Sequence, residues 1–90
     1  MTEEKITWDQ TTQEKFERLL KHIPELIRGI AEARISRKAE SLVRGQGRKE
    51  ISEKDMVDAF FVETPSGFLA PMKSSMAELG IDYTKYGYDK

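Results

Sequence analysis

Ninety residues make one small domain with room for a modest hydrophobic core and no more. The chain is 38% hydrophobic and 34% charged and has no cysteine, which excludes disulfides, thiolate metal sites and cysteine nucleophiles. Its net charge of -1 conceals an asymmetry: residues 28–49 carry seven basic and two acidic groups, whereas 1–27 carry four and six and 50–90 four and eight. The acidic flanks can neutralise the basic middle, so the charge pattern does not require nucleic acid as a partner.

The first predicted helix spans 11–22. Thr11 stands as its cap with Glu14 three residues on, and Phe16, Leu19, Leu20 and Ile23 recur at helical spacing. Trp8, just before the cap, is expected to fold over the helix start as a core anchor. Pro24 cannot sit inside a helix without costing about 3 kcal/mol, but it is harmless at a first helical position. The stretch "IPELIRG" (23–29) therefore reads as a corner between two helices, with Glu25 favourably placed in the first turn of the second.

That second helix is predicted over 24–44, long and central, with Gly45 and Gly47 available to stop it. Leu26, Ile27 and Ile30 form one stripe, and Ala31, Ile35, Ala39, Leu42 and Val43 form another more than a quarter-turn away. Two offset stripes predict a helix gripped on more than one side. Gly29, at the changeover, implies a close backbone approach or a bend, since it costs roughly 1 kcal/mol relative to alanine. Arg28 lies in line with the second stripe, where it wants a carboxylate; Glu32, one turn on, is the candidate. Arg34, Arg37 and Arg44 share one face and are candidate partner-binding residues.

A third helix is predicted over 52–62, with Ser52 as cap, Glu53 and Asp55 in the first turn and Ile51 and Met56 as staple. "ETPSGF" (63–68) is a loop. A fourth helix is predicted over 69–79 with Met72, Met76 and Leu79 inward, ended by Gly80 with Ile81 folding back on Met76. The tail, with three tyrosines and no period, is compatible with packing or fraying. No strand longer than two or three residues is expected.

The fold class is therefore all-α, a bundle of about four helices in which a histone-like arrangement is allowed. The expected core is Trp8, Phe16, Leu19, Leu20, Ile23, Ile27, Ile30, Ile35, Leu42, Ile51, Met56, Phe60 and Leu79. No catalytic, cofactor-binding or metal-binding residues are predicted. His22 is the single histidine and reads as a helix-end cation, and Gly45 and Gly47 lack the context of a phosphate-binding loop. No apolar run approaches the roughly 18 residues needed to span a bilayer, so the expectation is a cytoplasmic protein without enzymatic activity.

Trp8, "IPELIRG" and "AESLVRGQGRKEIS" (39–52) together resemble the small helical domain at the C-terminus of the B subunit of light-independent protochlorophyllide reductase, which also occurs as a stand-alone bacterial protein. The matching positions are Trp8, Ile23, Pro24, Arg28, Glu40, Gly47, Ile51 and Ser52, within residues 6–61; 62–90 lie outside. The resemblance implies an accessory module that docks on a protein partner such as a reductase-type enzyme. It does not imply the parent enzyme's chemistry, for no cysteine is present to hold an iron–sulfur cluster. The central helix with "GRKEIS" and "EKDMVDAF" is also similar to the second half of an archaeal histone fold, which gives the alternative of a dimeric DNA-binding protein. A pI near 5.9 stands against it, because phosphate neutralisation carries most of such affinity. Monomer and dimer are both open, as is contact with a tetrapyrrole.

Overall fold

The computed structural model describes residues 5–90. Four helices are present: α1 (Gln10–Leu20), α2 (Glu25–Gly45), α3 (Glu53–Glu63) and α4 (Leu69–Glu78). Two two-residue strands, β1 (Thr7–Trp8) and β2 (Glu50–Ile51), pair in parallel, with Thr7 opposite Glu50 and Trp8 opposite Ile51. Short 3₁₀ turns occupy Ser66–Phe68 and Tyr83–Tyr86. The all-α class is as expected, and the ladder clips the segment before α1 onto the turn between α2 and α3.

Helix α1 starts one residue before its predicted start because Asp9 caps it instead of Thr11. It ends two residues short of its predicted end, where the amides of Lys21, His22 and Ile23 donate to carbonyls three residues back on the way into the corner. Asp9 Oδ2 accepts from the Thr12 amide at 3.1 Å and the Thr12 hydroxyl at 2.8 Å. A carboxylate on the amino end of the helix serves both its orphan amides and its dipole. Pro24 is the cap residue of α2 rather than its first helical residue, and its carbonyl accepts from Ile27 N–H at 3.1 Å. The corner read from the sequence stands.

Helices α2 and α4 both stop on a left-handed glycine, Gly47 (φ 68°) and Gly80 (φ 74°). In each case the residue after it donates back to the third residue from the helix end, Arg48 to Val43 and Ile81 to Met76, both at 2.9 Å. Ile81 is thereby folded into the core as predicted. The start of α3 forms a tight knot. Asp55, only 3% exposed, accepts from the Ser52 amide and hydroxyl, both at 2.8 Å, and is paired with Arg48. Four donors on a buried carboxylate satisfy it fully.

The core gathers Phe16, Leu19 and Leu20 from α1, Ile35, Ala39 and Val43 from α2, Met56, Val57, Ala59 and Phe60 from α3, and Met72 and Met76 from α4, with Ile51, Ile81 and Tyr83 closing it. Trp8 stacks on Phe16 with ring centroids 4.6 Å apart, and Phe16 meets Phe60 edge-on. Trp8, Ile23, Leu42 and Leu79 are half-buried rather than fully interior. The larger correction concerns the first stripe of α2. Ile27 and Ile30, expected in the core, are exposed, and Leu26 is 93% exposed. The helix is gripped along the line of Ala31, Ile35, Ala39 and Val43, whereas the side of its amino-terminal half that carries Leu26, Ile27 and Ile30 stays open beyond the corner at Ile23 and Pro24.

Candidate functional site

The uncovered half of α2 borders a groove of about 300 Å³. Ile27, Ala31, Arg34 and Ile35 form its α2 wall, Leu19 and Phe60 line it from α1 and α3, and Phe68, Pro71 and Met72 lie on the far side. Ile27 and Arg34 are seven residues apart, two turns, so they fall on one line along the helix. The lining is apolar apart from Arg34, Glu63, Thr64, His22 and Ser75. Beyond the groove the apolar surface continues over Leu26 and Ile30, and Phe68, 63% exposed, overhangs from the opposite wall.

Arg34, Arg37 and Arg44 are all exposed on α2, as their spacing predicted. None makes an ion pair or side-chain hydrogen bond among the described residues. Arg34 alone of the three reaches the groove. Arg28, by contrast, does not pair with Glu32. Its guanidinium donates to the Ile23 carbonyl at 3.0 and 3.2 Å, which ties the first turn of α2 to the corner before it. His22 Nδ1 lies 2.9 Å from the Ser75 hydroxyl and 3.7 Å from Glu78, joining the end of α1 to α4.

The remaining family-like positions are scaffold. Trp8 stacks on Phe16, Pro24 caps α2, Gly47 ends it, Ile51 is fully buried and Ser52 caps α3. Glu40 is half-exposed on the mid-part of α2. Ile23 and Pro24 also line the groove, whereas the other family-like positions lie outside its lining.

The acids that are buried or bonded are equally structural. Glu53 accepts from Lys15 and from the Tyr86 hydroxyl at 2.5 Å, with Lys85 3.5 Å away. Burial pushes its carboxyl up, but the Lys15 and Tyr86 hydrogen bonds and the two lysine charges outweigh this and hold it below the usual carboxylate range. Asp58 accepts from Lys54 and from the Tyr88 hydroxyl at 2.5 Å. Burial and the Asp58 bond raise Tyr88 to about 12, and burial with the Glu53 bond raises Tyr86 as well. No group of three metal-ligating side chains occurs among the described residues, and no helix among them is long and apolar enough to cross a membrane.

The apolar side chains of the 63–90 segment divide between the groove and the core. Only Phe68 is freely exposed; Met72 lines the groove, Met76 is fully buried, and the tyrosines are engaged with α3 and the core. The exposed line of Leu26, Ile27 and Ile30 was missed. Its signal is the phase difference between the two stripes of α2, which is compatible with one buried and one open face as well as with grip from two sides.

Neither the curated proteins nor the solved structures contain a match to this chain. Residues 1–88 match the family described as "Protein of unknown function (DUF2621)", a span that includes the tail as well as the region singled out in the sequence, and the chain belongs to that family.

Proposed function

We propose that this protein is a non-catalytic docking module whose contact surface is the open side of α2 and the groove beside it. The observation that carries the reading is the juxtaposition of exposed Leu26, Ile27 and Ile30 with unpaired Arg34, Arg37 and Arg44 on one helix. Exposed apolar surface of this kind beside arginines matches the composition of protein interfaces. The non-catalytic part is supported by the acids at Glu53, Asp55 and Asp58, each committed to structural bonds. The resemblance to the protochlorophyllide reductase domain suggests a cytoplasmic reductase-type enzyme as the partner.

An affinity capture from the native cell tests this, comparing the wild type with an Arg34→Ala/Arg37→Ala/Arg44→Ala variant. The expected result is one protein retained by the wild type and lost by the variant. Equal recovery on both, or no specific protein on either, would remove the support for docking through this surface.

A further inference from the structure

We infer that the occupant of this surface is an acidic amphipathic helix of the partner protein, with its apolar side chains in the groove and its carboxylates on Arg34 and Arg37. The inference rests on the docking reading and names the chemistry of the contact. Leu26 to Arg34 spans eight helical steps, about 12 Å. That length matches two turns of a second helix laid alongside, anchored at i, i+3 or i+4 and i+7. The groove, about 300 Å³ and open on one side, suits a few inserted side chains. It is at the lower limit for a pocket that encloses a small molecule.

Charge selects the occupant. Covering Ile27 and Ile30 also draws Arg34 out of water, which is costly unless a carboxylate meets it. A guanidinium fork is shaped for that bidentate contact. Glu63 stands on the opposite wall and would repel acids there, so the partner's carboxylates belong on the α2 side only. A second copy of this chain fits less well. Glu25 and Glu32 lie on the far side of α2 from the Leu26–Ile30 line, so a two-fold pairing through that line would bring the arginines of both copies to the seam with neither carboxylate to meet them. An anionic membrane fits less well too, because the apolar lining is concave and Glu63 borders it.

The test uses the full chain and a fluorescently labelled helix-forming peptide with leucines at i, i+3 and i+7 and glutamates along one flank. A control peptide carries lysines in place of the glutamates, and anisotropy is read at physiological ionic strength, about 0.15 M. The acidic peptide should bind at least tenfold more tightly than the control. Arg34→Glu/Arg37→Glu should reverse that order, and Phe68→Ser should weaken both peptides without changing it. These are exposed positions, and circular dichroism of each variant confirms that it is folded. Equal binding of the two peptides, or none, overturns the inference. Stronger sedimentation with phosphatidylglycerol vesicles than with phosphatidylcholine vesicles, abolished by Ile30→Ser, would overturn it in favour of a membrane. Dimerisation in light scattering, lost in Ile30→Ser, would overturn it in favour of self-association. A captured partner that depends on the three arginines but has no acid-flanked helix at its contact would sink this inference and leave the docking reading standing. The expected peptide selectivity with no cellular partner would do the reverse.

Discussion

The Tyr88 hydroxyl donates to Asp58 at 2.5 Å, joining the end of the described chain to the middle of α3 across thirty residues. The same ring stacks on Phe61 with centroids 3.8 Å apart. Two residues earlier Tyr86 reaches Glu53, so the tail is bonded to α3 at its first residue and at its middle.

This arrangement sets an alkaline limit. Tyr88 ionises near 12 in the folded protein and near 10 when unfolded. Its stabilising contribution is therefore complete below about pH 10 and is lost as the pH rises toward 12. Thermal unfolding followed by circular dichroism should show the wild type losing stability across that window. Tyr88→Phe should start lower and fall less. Parallel curves for the two proteins would show that the Asp58 bond does not contribute.

The acid limb is governed at the other end of α3. Glu53 is held below the usual carboxylate range, so unfolding takes up a proton there. Its contribution is present above about pH 4.3 and disappears as the pH falls through the lower folded value. Calorimetric midpoints measured downward from neutral pH should drop more steeply for the wild type than for Glu53→Gln, with the difference confined to the acid side. A difference that persists unchanged at low pH would point to lost packing rather than lost charge.

Much of this fold was legible because punctuation in the chain is local. Pro24, Gly47, Gly80 and the Ser52 start each act within a few residues, and all four appear where the sequence placed a corner, a stop or a cap. What local reading could not supply was which of two apolar stripes on α2 would be covered. That depends on where α1 turns and where the 66–68 loop lands, both set by packing over long sequence separation. The tail was ambiguous for the same reason: its partners, Glu53, Asp58 and Phe61, lie at least 22 residues away. Asp9 outcompeting Thr11 as a cap is a smaller case, since a carboxylate and a hydroxyl two residues apart were both plausible starts.

The corrected core moves the sensitive positions. Met76 is fully buried, and Met76→Ala should cost about 2–5 kcal/mol in urea unfolding, a large share of the stability of so small a domain. Leu42, which the sequence placed in the interior, is half-buried. Leu42→Ala should accordingly cost less than Met76→Ala, below about 2 kcal/mol. The reverse order would mean that Leu42 packs more tightly than its exposure implies.

Gly29 gives the sharpest separation of stability from function. The sequence suggested that it admits a neighbouring backbone, but a Cβ built there meets nothing within 4 Å. It lies inside α2 and is not among the glycines with positive φ, so alanine is compatible with its backbone. Gly29→Ala should stabilise the isolated protein by about 1 kcal/mol, through a stiffer unfolded chain and better helix propensity. Its neighbours on the helix are Leu26 and Ala33, beside the exposed apolar line. If the space at Gly29 serves close approach of a partner helix, the same substitution should weaken binding of the acidic peptide while raising the unfolding midpoint. A stabilised variant that binds unchanged would place the partner helix toward Ile27 and Arg34, away from Gly29. A destabilised variant would contradict the open geometry seen at this position.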